Sequence, residues 1–497
     1  MSHYLPTGTV YGTLLNFTTE WDHWAERMTQ PPYKAAPKAP VLYVKTSNTF
    51  QRSGEKTLLD DDAKQVYVGA GVGLIIGADG TPDQVVLLND FSTDHDNYYR
   101  TPIKGKNRDG FLTVGEPLAL DPDTGLDAFI GALSLDVIIN GEHQQTVDLS
   151  TLRRPPSTLL TDIAEFMTLQ PGDVLLLGTD CRPDGTRPLV KAGDHVEISA
   201  NGLASLTTSM QAGGVRANAS SSAKHRTAAK KPGRLARVVW GGAIHEAREH
   251  DEGLILTRGH HAGRVLALDD VQWLPPLAPV NRPRTVLALG LNYADHAREL
   301  AFKPPEEPMV FIKSGTGLIG HKGATIRPAG IDYMHYECEL AVVIGKTARN
   351  VSRQHAYNYI QGYCVANDYA IRDYLENWFR PNLRVKNRDT GTPLGPWLVD
   401  AEQIDPMNLA LKTTVNGEVT QQGSTRDMIF DVPGLIEYFS QFMTLQPGDL
   451  ILTGTPDGIV DCKPGDTVIT EVEGLGALVN HIVAPPCAAG VNARNPH

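Results

Sequence analysis

Short apolar runs bounded by glycine and proline recur along most of this chain, with polar turns between them. Brief runs rich in Val, Ile and Leu predict strands, whereas longer stretches with apolar residues three and four apart predict helices. "DVLLLG" (173–178) and "DLILTG" (449–454) follow "QPGD" turns and read as buried strands, while "VPGLIEYFSQFM" (432–443) reads as a helix. The mixture predicts an α+β protein in which sheet dominates. One run breaks the pattern. In "MHYECELAVVIG" (334–345), Glu337 and Glu339 lead into an apolar strand over 340–344. Alternate strand positions share a face, so two like charges stand side by side at the edge of a core.

The chain also repeats itself. "FMTLQPGDVLLLGT" (166–179) returns as "FMTLQPGDLILTGT" (442–455), and "KNRDGFLTVG" (106–115) as "KNRDTGTPLG" (386–395). "LLNDFS" (87–92) matches "VANDYA" (365–370), "INGE" (139–142) matches "VNGE" (415–418), and "YVKTSNT" (43–49) matches "FIKSGTG" (311–317). The order is conserved between the two sets, and a period of about 275 residues is far too long for a solenoid. Two copies of one domain are predicted, over 1–212 and 235–485. The joint between them, 213–234, is Gly/Ser/Ala-rich and basic, and reads as a solvated linker rather than a nucleic-acid arm.

Comparing the copies explains the paired glutamates. Aligned on "IG" at 76–77 and 344–345, Gly69 and Gly71 fall opposite Glu337 and Glu339. The strand therefore forms without carboxylates, which points away from a structural need for them. A divalent cation would remove their repulsion, since hard cations take carboxylate oxygens. Asp368, in "VANDYAIRD", supplies a third acid from the next element.

Bulk properties narrow the class. At 497 residues two or more domains are expected, and the formal charge of −12 argues against a dedicated nucleic-acid binder. Five cysteines without a CxxC pair suit a reducing compartment. No basic, apolar leader opens the chain and no apolar run of about 18 residues interrupts it, so neither export nor a membrane span is expected. A cytoplasmic protein is the expectation.

At four stretches the chain resembles the fumarylacetoacetate hydrolase family: "LNYADHAREL" (291–300), "YMHYECELAVVIGKTARNVS" (333–352), "NDYAIRDYLENWFRPNLRVKNRD" (367–389) and "LTGTPDGI" (452–459). The resemblance is closest to tandem members that decarboxylate and isomerise unsaturated 2-oxo acids in aromatic-compound catabolism. It implies an internal pseudo-dimer of two such domains, acting as a monomer or weak homo-oligomer, with the first copy degenerate. It implies metal ligands at Glu337, Glu339 and Asp368 for magnesium, with manganese or calcium as substitutes. A catalytic His–Glu pair maps to His296 and Glu299, a catalytic lysine to Lys386, and substrate contacts to Arg372 and Thr455. The implied reactions are decarboxylation of a 5-oxopent-3-ene-1,2,5-tricarboxylate-type substrate and isomerisation of the 2-hydroxyhepta-2,4-diene-1,7-dioate product. Both steps pass through a dienolate, so one charge-stabilising site can serve both. The partner is then a small di- or tricarboxylate, not a nucleic acid or a membrane.

Other features lead elsewhere. "HEAREH" (245–250) spaces its histidines five apart, which no helical zinc motif does, and "GAGVG" (69–73) continues as a strand rather than opening a nucleotide-binding helix. "GHHAG" (259–263) reads as an exposed turn, and Cys338 should face away from the glutamates into the packing. The first copy keeps Asp90, Lys106 and "LGTD" but lacks the glutamates; Glu20 and His23 fall opposite His296 and Glu299 in reversed order. Two rivals stand beside the decarboxylase/isomerase. One is an acylpyruvate- or fumarylpyruvate-type C–C hydrolase, favoured by "KNRDTGTPLGPW" (386–397); the other is a catalytically degenerate binding protein.

Overall fold

The computed structural model describes residues 4–93, 97–213, 233–293 and 305–486. His296, Glu299 and most of the linker lie outside the described residues. The rest forms two halves, each built on the same pair of sheets. In the first half the large sheet runs Val41–Lys45, Val10–Leu14, Val174–Leu176, Ala70–Ile76, Pro82–Asp90, Leu112–Val114 and Phe50–Arg52. The second half follows the same path through Met309–Lys313, Val286–Gly290, Leu450–Leu452, Cys338–Ile344, Ile360–Asn367 and Thr392–Asp400, with Leu318–Ile319 paired to the last.

A five-stranded sheet packs on each large one, and period-two alternation decides the contact. Val72, Leu74, Val85 and Leu87 of the first large sheet meet Leu135, Val137, Val196 and Ile198 of the small sheet. Their neighbours Ile75, Val86, Leu88, Val174 and Leu176 form a separate cluster on the opposite face. Burial on both faces explains why these strands read as unbroken apolar runs. The predicted helix spans Val432–Ser440; Asp431 caps it through Gly434 N at 3.0 Å, and Leu435, Ile436 and Phe439 are buried. "HEAREH" lies in the strand Ala243–His250, which with Leu235–Trp240 extends the second large sheet through the Leu235–Leu398 pair.

The halves hold each other reciprocally. Asp109, from the first "KNRD", accepts from Thr444 N at 2.7 Å and Thr444 Oγ1 at 2.6 Å, in the second "FMTLQPGD". Asp389, from the second "KNRD", accepts from Thr168 N at 3.0 Å and Thr168 Oγ1 at 2.6 Å, in the first. Arg349 adds ion pairs to Asp60 at 3.0 Å and Asp109 at 3.1 Å. "NYYR" (97–100) lies against its own counterpart "NWFR" (377–380): Phe379 N donates to Tyr98 O at 2.6 Å and Arg380 N to Tyr99 O at 2.8 Å. Tyr33 stacks on Trp378 with centroids 4.3 Å apart, and Trp24 on Tyr98 at 4.5 Å. The strings that best preserve the repeat are thus the ones that join the copies, which makes the chain an internal pseudo-dimer.

Candidate metal centre and active site

The end of one antiparallel ladder positions the acids. Cys338 pairs with Asn367 and Glu339 with Ala366, so Glu337 and Asp368 sit just past the ladder's edge. Asp368 N donates to Glu337 O at 2.9 Å, and Asn367 Oδ1 accepts from Glu337 N at 3.0 Å. Carboxylate oxygens of Glu337, Glu339 and Asp368 then lie within 4.8 Å of one another. Cys338 faces the other way, buried in the core as expected.

Two lysines moderate this negative charge. Lys386 Nζ is 2.7 Å from Glu337 Oε2 and 2.8 Å from Asp368 Oδ2, and Lys313 Nζ is 2.5 Å from Asp368 Oδ1. Lys313 also donates to the Lys386 carbonyl. Burial and the neighbouring Lys386 push the Lys313 ammonium below its ordinary value, with Asp368 opposing. For Lys386 burial is outweighed by Asp368 and Glu337, which hold it above. Among the described residues Glu339 makes no ion pair, though Lys386 acts on it from a distance. Its Oε2 accepts from Gly454 N at 2.6 Å, while Oε1, fully buried, has no hydrogen-bond partner among the described residues. Burial, then repulsion from Asp368 and Glu337, raises its carboxyl well above the ordinary range. Three converging carboxylates, one with an unsatisfied buried oxygen, fit a divalent cation.

The mouth of the site is basic and partly apolar. Leu289, Met309, Phe311, Glu337, Lys386 and Thr455 line it together with Arg372, Arg380 and, from the first half, Arg100. Arg372 Nε donates to His335 Nε2 at 2.9 Å, while His335 Nδ1 lies 3.0 Å from the Tyr336 carbonyl. That pairing puts the imidazole proton on Nδ1 and keeps the ring neutral. Burial, then Arg372 and Lys386, lowers its pKa to about 3. Thr455 Oγ1 accepts from Gln421 Nε2 at 2.9 Å.

The profile described as "Fumarylacetoacetate (FAA) hydrolase C-terminal" matches residues 9–211 and again 285–483. The chain belongs to the fumarylacetoacetate hydrolase family. It is 42% identical over 492 residues to the 4-hydroxyphenylacetate degradation bifunctional isomerase/decarboxylase of Salmonella dublin, covering 97% of this chain and 99% of that one. The protein of the same name from Escherichia coli is also 42% identical over 492 residues, with the same coverage of 97% and 99%. A crystal structure of 5-carboxymethyl-2-hydroxymuconate delta-isomerase from Mycobacterium smegmatis is 38% identical, covers 51% of this chain and 99% of that one, and has a TM-score of 0.45.

Within this family fold, the structure brings together Glu337, Glu339, Asp368, Lys386, Arg372 and Thr455 as the sequence predicted. His335, Lys313, Arg380 and Arg100 join them unannounced. For His335 a signal existed: it stands two residues before Glu337, on the same alternating face.

Proposed function

We propose that this chain is a metal-dependent bifunctional isomerase/decarboxylase of 4-hydroxyphenylacetate (homoprotocatechuate) catabolism, working in the cytoplasm. The observation that carries the reading is the carboxylate cluster Glu337–Glu339–Asp368, present in the second copy beside a basic cavity and replaced by glycines at two of its three positions in the first. Those three residues would hold the cation, magnesium in this reading with manganese or calcium as substitutes. The bound ion supplies Lewis acidity for negative charge that grows on a 2-oxo oxygen as carbon dioxide leaves.

The chain's own residues do the rest. Arg372, Arg380 and Arg100 receive the carboxylates of an unsaturated 2-oxo tricarboxylate, and bidentate guanidinium geometry suits that task. His335 fixes the orientation of Arg372 through the Nε–Nε2 bond. Lys386, charged and nearly enclosed, faces the substrate from the side of Glu337. Phe311 and Leu289 limit water at the reacting centre. His296 and Glu299, outside the described residues, are proposed to move the proton that isomerisation requires.

The test is to follow carbon dioxide release and diene isomerisation separately in the wild type and in Glu337→Gln, with magnesium. Loss of both steps is expected. Isomerisation intact with decarboxylation lost would place the two steps at different sites. Release of an acid fragment instead of carbon dioxide would make the chain a hydrolase, and no turnover at all a binding protein.

A further inference from the structure

The first copy's counterpart of the metal centre has the opposite charge balance. In the second copy three carboxylates face the ammonium groups of Lys313 and Lys386. In the first, among the described residues, Asp90 alone meets Lys45 at 2.8 Å and Lys106 at 2.8 Å. Beside them Glu20 and Arg187 cancel as a buried pair at 2.6 Å. Among these buried carboxylates and ammonium groups of the described residues, net negative has become net positive, and an innermost site of that sign suits an anion.

The space of the lost glutamates is closed. A Cβ at Gly71 would lie 2.5 Å from the Gly178 carbonyl oxygen, and one at Gly69 would lie 2.4 Å from that of Asp90. Yet a cavity of about 250 Å³ remains next to them. Lys106, only 4% exposed, stands at its buried end. Lys386 spans two carboxylates, but Lys106 ion-pairs only with Asp90 among the described residues, its ammonium 4.5 Å from the centre of the Tyr43 ring. An ammonium has three donors, and burying them unused is unfavourable. Thr179 lines the same end; its oxygen accepts from Arg187 Nη1 at 2.7 Å, which leaves its proton to give. Leu14, Trp24 and Val68 supply apolar wall, and Arg27 and His23 stand at the exposed rim.

We propose that this cavity is a metal-free binding site for a short organic dicarboxylate, one carboxylate seated against Lys106 and Thr179 and the other at the Arg27 rim. The site is separate from the metal centre and independent of the activity proposed for it.

Calorimetric titration of the full chain with glutarate tests it, after chelator treatment so that the second-copy carboxylates hold no ion and repel the probe. One glutarate per chain is expected, accompanied by a change in tryptophan fluorescence from Trp24. Lys106→Met should weaken binding by about tenfold or more, and Lys106→Arg, which keeps the charge, should retain it. Ser92→Leu fills the cavity without altering charge; it should also abolish binding, and it carries the test if Lys106→Met does not fold. No saturable heat in the wild type, or undiminished binding in either Lys106→Met or Ser92→Leu, overturns the proposal. So does a response lost in Lys386→Met alone. Inorganic phosphate binding as tightly as glutarate would overturn the dicarboxylate assignment.

Discussion

Replacing Glu339 with glutamine should stabilise the metal-free protein and at the same time end its capacity for a divalent cation. The side chain is fully buried, one oxygen has no partner among the described residues, and the carboxylate oxygens of Glu337 and Asp368 lie within 4.8 Å. At an effective dielectric of about 20, unit charges at that distance repel by roughly 3.5 kcal/mol, so two such neighbours amount to about 7 kcal/mol before Lys386 offsets part of it. The carboxyl has a less costly course, which is to take up a proton. At pH 7, protonating a carboxyl whose ordinary value is 4.5 costs about 3.4 kcal/mol. That figure is the ceiling on what Glu339 can cost the metal-free fold. Glutamine has nearly the same shape and no charge, so Glu339→Gln should gain up to about 3 kcal/mol. Unfolding midpoints of chelator-treated samples should therefore be higher for the variant. Magnesium should then raise the wild type by mass action and leave the variant where it was. A variant less stable than wild type without metal, or one that magnesium still stabilises, would refute this account of the site.

Asp109→Ala should lower stability by about 3 kcal/mol, because the carboxylate serves two Thr444 donors, Asn48 and Arg349. Asp389→Ala should cost about 1 kcal/mol, since its carboxylate meets only Thr168 among the described residues; denaturant titration of both variants checks the asymmetry. His335 stays neutral in the fold down to about pH 3, whereas the unfolded chain protonates it near pH 6.5. The unfolded state thus binds the extra proton, and the His335 contribution to stability falls as pH drops through that window, by about 2 kcal/mol at pH 5, against the opposite trend from proton uptake at Glu339. The stability difference between wild type and His335→Gln should therefore shift by about 2 kcal/mol between about pH 7 and about pH 5, read from unfolding midpoints of the two proteins. Arg100→Leu should raise KM by about tenfold with kcat little changed, as loss of a contact made equally in ground and transition states does. An unchanged KM would remove the first half from the second site.

What could be read from sequence divides along physical lines. Glu337, Glu339 and Asp368 were legible because strand alternation is local and the sister copy supplied an internal control at Gly69 and Gly71. Val432–Ser440 was legible from its apolar spacing, while its Asp431 cap came only with the structure. "KNRD" and "FMTLQPGD" were legible as repeats but not as partners of one another, since Asp109 and Thr444 are joined only by tertiary packing. Arg100 and Arg380 escaped for the same reason: each owes its place to the meeting of two counterpart segments from different halves. The strands at 235–274 gave no sign of joining the large sheet, because that junction is a single pair, Leu235 with Leu398.

The reciprocal Asp–Thr contacts carry an evolutionary consequence. In a symmetric homodimer every substitution appears twice, so neither site can lose its glutamates without the other losing them too. Once both copies share one chain, the joint and the sites come under separate selection. The aspartates and threonines of the joint must still match across the halves, while each site answers only for its own pocket. A duplicated gene that has been fused can therefore keep one centre under strict constraint and let its twin acquire a new charge, a new shape and a ligand of its own.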